Sequence, residues 1–247
     1  AAGLGDLLRA LCAVSLEELG EPRLFCLVKL VETVSLNVPA RLATEWRLLW
    51  ETTLGTFFTA AMCHVNRRVA LFAVDALRQL AIKLIAVGDP ASSDTVANGT
   101  IPSQPLSDAA EGSNSGAQVG VAVTQSGDGS GLQRAVLRPF ESCYARSRST
   151  SVRELVLRCV AQLVAARSSV VQSGWKALFG VLVIAADERS ESLLATAFGI
   201  VESVVRDHVG NLDDVFVGTV AALSAYAHNA LDEKVALSAI TYLSGPC

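Results

Sequence analysis

Metal-ligand spacing is missing from this chain. The six cysteines (Cys12, Cys26, Cys63, Cys143, Cys159 and Cys247) form no C-x-x-C pair, and none has a neighbouring histidine in zinc-ligand spacing. The three histidines, His64, His208 and His228, are far apart, and none pairs with a Cys or an acid in a metal-ligand pattern. A helix C-terminus favours a charged imidazole, so His64 and His208, at helix ends, read as capping or surface groups. No Gly-rich phosphate loop precedes a helix, and no G-x-S-x-G elbow is present. No catalytic residue, metal ligand or cofactor-binding residue is therefore expected. A membrane-spanning run is missing too. The longest uncharged run, Val215 to Leu231, has 17 residues but includes Gly, Thr, Ser, His and Asn. That is short of the roughly 20 apolar residues a spanning helix needs. The first residues are not a basic region followed by an apolar block, so no signal peptide is read there.

Basic residues are unevenly distributed. The net charge is −4, yet residues 132–167 hold seven arginines against two glutamates, between an acidic 88–131 and an acidic stretch from 187 onward. A basic segment of this size between acidic ones argues against nucleic-acid binding, which needs a broad basic face. Aromatics are scarce at 6%, and hydrophobic residues reach 51%, mostly Ala, Leu and Val. Small apolar side chains of this kind suit helix-on-helix packing. The cysteines fall mostly within apolar helical patterns, where Cys behaves as a small hydrophobe, and a reducing compartment is expected. Ala1 and the Pro246-Cys247 end read as cuts in a longer chain.

Helical periodicity runs through the rest. Apolar residues predict helices over 4–19 and 24–36, then one opened by Pro39 that carries Trp46, Leu49, Trp50 and Phe57. Asn66 is positioned to cap a helix running to about Val87. Further helices are expected near 132–147, 151–166, 172–186, 190–208, 212–229 and 232–243, with Asn211 and Asp214 as another capping pair. Ser151 and Glu154 match an S-x-x-E capping box. Trp46, Trp50 and Trp175 read as core, and Asp75 with Arg78 as a helix-surface pair.

Residues 88–131 are different material. Eight Gly, eight Ser, three Pro, five acids and no base or aromatic occur in 44 positions. Such a segment buries too little apolar surface to offset its ordering entropy, so a disordered insertion is expected. Gly127-Asp128-Gly129 belongs to it and signals flexibility, and Asn98-Gly99-Thr100 is a chance sequon match.

The helix faces repeat. Val152, Leu155, Val156, Cys159, Val160 and Leu163 align with Leu193, Thr196, Ala197, Ile200, Val201 and Val204 at an offset of 41. They align with Val69, Phe72, Ala73, Ala76, Leu77 and Leu80 at an offset of 83, which includes the insertion. A period near 41 with two helices per unit marks HEAT or armadillo repeats. The expectation is an all-α, armadillo/HEAT-like α-solenoid of antiparallel helix pairs, one domain over 1–247 (1–87, the insertion 88–131, then 132–247). The candidate docking surface is basic: Arg138, Arg153, Arg158 and Lys176. It would take an acidic partner or anionic lipid, and the acids of the insertion would compete for it.

Five segments carry a resemblance: LFCLVKLVETVSLNV (Leu24–Val38), FAVDALRQLAIK (Phe72–Lys83), LRPFE (Leu137–Glu141), SVRELVLRCVAQLV (Ser151–Val164) and SGWKALFGVL (Ser173–Leu182). Their order and wording resemble the helical region directly downstream of the exchange domain in large Arf guanine-nucleotide exchange factors of the brefeldin-A-inhibited, trans-Golgi type. The resemblance covers about residues 22–230. It implies an armadillo-like regulatory region, cytoplasmic and peripheral on trans-Golgi membranes. Its implied partners are activated Arf-family small GTPase, the anionic membrane surface and other domains of the same protein. It departs from the family between the D-x-L-R-Q helix and L-R-P-F, where the family's link is short and ordered. The exchange domain, with its glutamate finger, is not among these segments. The alternative from the residues alone is a generic helical-repeat adaptor or scaffold.

Overall fold

A computed structural model describes residues 2–20, 23–88, 131–208 and 213–245. Every regular element among them is helical. The first two are α1 (Ala2–Glu18) and α2 (Phe25–Asn37), followed by a 3-10 turn at Val38–Ala40. Next, α3 (Ala43–Leu49) runs through a π turn (Trp50–Leu54) into α4 (Gly55–Met62), so these three pieces form one rod. Then come α5 (Arg67–Ile85), α6 (Leu132–Arg146), α7 (Thr150–Arg167), α8 (Trp175–Ala185), α9 (Glu191–His208), α10 (Asp213–Ala227) and α11 (Glu233–Ser244). Counting the interrupted rod once gives ten helices among the described residues. The all-α expectation holds.

Two layers account for the packing. In one, the α3–α4 rod packs on α6, α6 on α8, and α8 on α10. In the other, α2 packs on α5, α5 on α7, and α7 on α9. The layers are joined by α1 with α2, α4 with α5, α6 with α7, α8 with α9, and α10 with α11. That is the arrangement of a solenoid of helical hairpins, in which each repeat buries its apolar face against its neighbours. The two offsets now have a physical basis. α7 and α9, related by 41, are neighbours in one layer, and so are α5 and α7, related by 83. The excess of 42 in the second offset is close to the 44 positions of 88–131, so that segment is added within a single repeat step. Residues Ala1–Pro90 and Ser130–Cys247 form one compact unit. The disorder expected for 88–131 concerns residues that, apart from Gly88 and Gly131, lie outside those described.

Local differences have local causes. Pro39 does not open the third helix. It sits within the 3-10 turn, Arg41 is extended, and α3 starts at Ala43 after extended Leu42. The Ser151–Glu154 capping box does not form. The N-cap falls two residues earlier, at Ser149, with no side-chain cap bond, and Glu154 pairs with Arg158 at 2.9 Å. Asn66 does cap α5, its side-chain oxygen accepting from the Arg68 N–H at 2.9 Å. Asp232 caps α11 by accepting from the N–H groups of Lys234 and Val235. The Asn211–Asp214 cap lies outside the described residues. Pro139 stands inside α6 and is buried there. Having no N–H, it leaves the Ala135 carbonyl without its helical donor.

The repeated stripe is buried at nearly every position. The exceptions share one place in the repeat: Phe72 is 37% exposed, Leu155 is half-buried and Thr196 is exposed. This place lies at the margin of the inter-helix contact, where Thr costs little. All three tryptophans are core, at 0–1% exposure. No helix among the described residues is long and apolar enough to cross a membrane.

Candidate functional site

The four candidate basic residues divide between the layers. Arg138 on α6 and Lys176 on α8 are exposed on neighbouring helices of one layer, with no ion partner among the described residues. A Cβ built on Gly174 would come within 2.9 Å of the Leu137 side chain, so these two basic residues flank a point where α6 and α8 touch. Arg153 and Arg158 belong to α7 in the other layer. Arg158 is exposed and engaged with Glu154.

Arg153 does something else. Its Nη1 donates to both carboxylate oxygens of Glu188 at 2.9 Å, and its Nε donates to the Ser147 carbonyl at 2.8 Å. The second bond satisfies a carbonyl at the C-terminal end of α6. Its guanidinium also lies 5.5 Å from the Tyr144 ring centre, within cation–π range. Arg153 thus pairs with Glu188, 35 residues away, and not with its neighbour Glu154.

Glu188, in the α8–α9 link, is only 9% exposed, and the Tyr144 hydroxyl donates to it at 2.9 Å. Burial, the hydrogen bond to Glu188 and the carboxylate charge push the Tyr144 hydroxyl above its ordinary pKa, and the Arg153 charge opposes them. Asn229, just past α10, donates to the Ala186 carbonyl at 2.6 Å and holds the other side of the same link. The side chains of α6, α7 and α10 therefore converge on residues 186–188. Their acceptors are occupied by one another, which orients helices and leaves no lone carboxylate for acid–base chemistry.

A second polar node lies at the opposite end of α6. Gln133 is fully buried; its side-chain N–H groups donate to the carbonyls of Ile85 (3.2 Å) and Val170 (2.8 Å). Its side-chain carbonyl accepts from the Gln172 N–H at 2.7 Å, and Ser173 Oγ accepts from the Arg134 N–H at 3.3 Å. This glutamine ties the end of α5 to the start of α6. No group of His, Cys, Asp and Glu among the described residues could hold a metal ion. His64 accepts from the Asn66 N–H at 3.1 Å, a local cap, while the His208 side chain lies outside the described residues.

Gln133, Tyr144 and Glu188 did not stand out in the sequence. Gln133 had a usable signal, because it replaces an apolar residue on the Val136, Leu137, Phe140 face of α6. Glu188 sits in the polar link Asp187-Glu188-Arg189-Ser190, where burial has no local signature.

This architecture is that of a helical-repeat region of two-layer hairpins with polar ties between repeats. Residues 126–203 match the family model described as Sec7-like HDS, of the Mon2/Sec7/BIG1-like group. That span holds α6 to α8, most of α9 and both ends of the Tyr144–Glu188–Arg153 clasp. Over 242 residues the chain is 33% identical to Brefeldin A-inhibited guanine nucleotide-exchange protein 1 of Homo sapiens, covering 95% of this chain and 11% of that protein. It is 29% identical to Brefeldin A-inhibited guanine nucleotide-exchange protein 2 of Arabidopsis thaliana, covering 96% of this chain and 12% of that protein. It is 30% identical to ADP-ribosylation factor guanine nucleotide-exchange factor sec72 of Schizosaccharomyces pombe, covering 94% of this chain and 11% of that protein. The chain thus spans about a tenth of the length of these curated relatives. The matched segment is similar to the HDS region of BIG-type exchange factors, which is not the catalytic domain.

Proposed function

We propose that this chain is a non-catalytic regulatory region of an Arf guanine-nucleotide exchange factor acting in Golgi vesicle traffic. It binds activated Arf-family GTPase and the anionic membrane surface, and it controls the adjacent exchange domain. Its place is cytoplasmic, peripheral on trans-Golgi membranes. The carrying observation is the match of residues 126–203 to the HDS region, set within similarity along 95% of the chain to a brefeldin-A-inhibited exchange protein. It works as one helical-repeat domain interrupted by 88–131. Arg138, Lys176 and Arg158 supply the docking charge, and Arg153 supports them by anchoring the start of α7.

Charge reversal tests this surface. Arg138→Glu with Lys176→Glu removes two exposed cations that carry no structural ion pair, whereas Arg153→Glu would set a carboxylate against Glu188 and confound folding with docking. Binding to GTP-loaded Arf-type GTPase on anionic liposomes should weaken in the double variant, and its salt dependence should become shallower. GDP-loaded GTPase on neutral liposomes should bind poorly to either protein. Equal binding of the two nucleotide states, unchanged by the double variant, would leave a helical-repeat scaffold without GTPase sensing.

A further inference from the structure

Ser147-Arg148-Ser149 joins α6 to α7 and belongs to neither helix. Its backbone is extended at both serines, with φ −70° and ψ 132° at Ser147 and φ −85° and ψ 115° at Ser149. Arg146, the last residue of α6, and Arg148 are exposed, and neither forms an ion pair among the described residues. Ser149 is half-buried at the N-cap of α7, but its hydroxyl makes no cap bond there. Its N–H donates to Ser147 Oγ at 3.3 Å, and its carbonyl accepts from the N–H groups of Val152 and Arg153 at 3.0 Å. The backbone is therefore held while the hydroxyl is left unengaged.

Arginine three residues before a hydroxyl is the pattern that arginine-directed protein kinases read, through carboxylates in a groove that takes an extended chain. Four hydroxyls in the chain have it: Thr44 after Arg41, Ser149 after Arg146, Ser151 after Arg148 and Ser192 after Arg189. The structure separates them. Thr44, Ser151 and Ser192 are each the second residue of a helix, α3, α7 and α9 respectively. Ser151 has the richest sequence, since Arg146 stands five residues before it. Val152 beside it is only 1% exposed, however, and would have to leave the core to lie in a groove. Ser192 follows Glu191, with Asp187 and Glu188 upstream, so an acidic groove repels it. Ser149 alone of the four lies outside a helix, and residues 146–153 hold three arginines and no acid.

We propose that Ser149 is a phosphorylation site for an arginine-directed serine/threonine kinase, and that its phosphate supplies the side-chain cap that α7 lacks. Ser149 Oγ attacks the γ-phosphorus of magnesium-bound ATP, the bond from that phosphorus to the β–γ bridging oxygen breaks, and ADP leaves. The hydroxyl proton passes to the kinase's catalytic carboxylate. Hydrolysis by a phosphatase reverses the step. The group brings about −1.5 to −2 charge and acceptor oxygens to the first turn of α7, where the N–H groups of Thr150 and Ser151 have no helical acceptor. Negative charge is favourable at a helix N-terminus. The link stiffened in this way is the one whose Ser147 carbonyl Arg153 already holds.

Site mapping tests this in the whole chain. The protein is incubated with magnesium ATP and a calmodulin-dependent serine/threonine kinase that requires arginine three residues before its target. Digested peptides are then fragmented in a mass spectrometer to place the phosphate. Ser149 should be labelled about tenfold faster than Ser151, Thr44 or Ser192, because the others need a helical turn opened first. Arg146→Gln removes the upstream arginine of Ser149 and should slow its labelling about tenfold. The phosphorylated protein should melt about 2 °C above the unphosphorylated one, and Ser149→Ala treated in the same way should gain no such shift. Labelling of Ser151, Thr44 or Ser192 as fast as Ser149, or labelling of Ser149 that Arg146→Gln leaves unchanged, overturns the site. Phosphorylation of Ser149 that leaves the Tm unchanged or lowers it overturns the cap.

Discussion

The helices up to α5 and those from α6 onward are held by different means. Aromatic rings meet in the core of both: Trp50 stacks on Phe58 at 5.6 Å and Phe57 meets Phe58 edge-on at 5.3 Å in the first group, and Trp175 meets Phe179 at 5.8 Å and Phe198 meets Tyr226 at 5.2 Å in the second. The difference is in the polar contacts. In the first group the ion pairs Arg9–Asp6, Lys29–Glu32, Arg47–Glu51 and Arg78–Asp75 each join residues only three or four apart. In the second group polar contacts reach between repeats. Arg153 to Glu188 spans 35 residues, Tyr144 to Glu188 spans 44, Asn229 to Ala186 spans 43, and Tyr242 to Glu202 spans 40. These separations cluster around the repeat length. Apolar burial drives neighbouring repeats together, but it is non-directional. Directional bonds between one repeat and the next select their register.

The largest effect is expected where burial is greatest. Trp50→Ala should cost about 3–5 kcal/mol by removing a fully buried ring from its stack, read as a fall in the urea midpoint. Glu188→Ala should follow at about 3 kcal/mol, since it leaves Arg153 and the Tyr144 hydroxyl without their acceptor. A double-mutant cycle with Arg153→Ala should recover a large part of that loss. Additive effects would break the assignment of the clasp as a coupled unit.

Close packing between repeats gives the next test. A Cβ built on Gly218 of α10 would lie only 2.6 Å from Phe179 Cε2 and closer still to the same ring's Cδ2. Gly218→Ala should therefore cost about 1–3 kcal/mol through overpacking. A neutral result would show that α8 and α10 slide past each other freely.

Alkaline pH separates the two groups of helices more gently. Tyr144 and Tyr226 both have hydroxyls raised above their ordinary pKa, chiefly by burial. The folded state therefore keeps protons that the unfolded chain releases at a pH of about 10. This contribution is fully present below that pH and is lost as pH rises above it. Tyr226 Oη is buried with no hydrogen-bond partner among the described residues. Tyr226→Phe should raise stability at neutral pH by about 1 kcal/mol and blunt the alkaline loss. The smallest effect belongs to Arg47→Ala, whose partner Glu51 is an exposed neighbour four residues away. A change of about 0.5 kcal/mol or less is expected there.

How legible each feature was in the sequence follows from the range of the forces behind it. The stripe Val152–Val156–Cys159–Val160–Leu163 could be read directly, because amphipathic periodicity is local and burial follows it. Asp75 with Arg78 was legible for the same reason, and the structure adds Gln79 as a second donor to Asp75. Caps were less secure. Ser151 matched a box on paper, but with the chain turning at Ser147–Ser149 the N-cap falls two residues early, at Ser149. The clasp was not legible, because Glu188 is buried only once the α8–α9 link is laid against α6 and α7. For the candidate site, Arg138, Arg158 and Lys176 were found as exposed cations, while the structural commitment of Arg153 depended on a partner 35 residues away.

Nucleotide release from an Arf-type GTPase is the direct test of a regulatory, non-catalytic role. With this chain alone, at rising concentration, release should stay at the spontaneous rate. The exchange domain joined to this chain should then release nucleotide at a rate different from that of the exchange domain by itself. Dose-dependent acceleration by the chain alone, or identical rates for the exchange domain with and without it, would contradict that role.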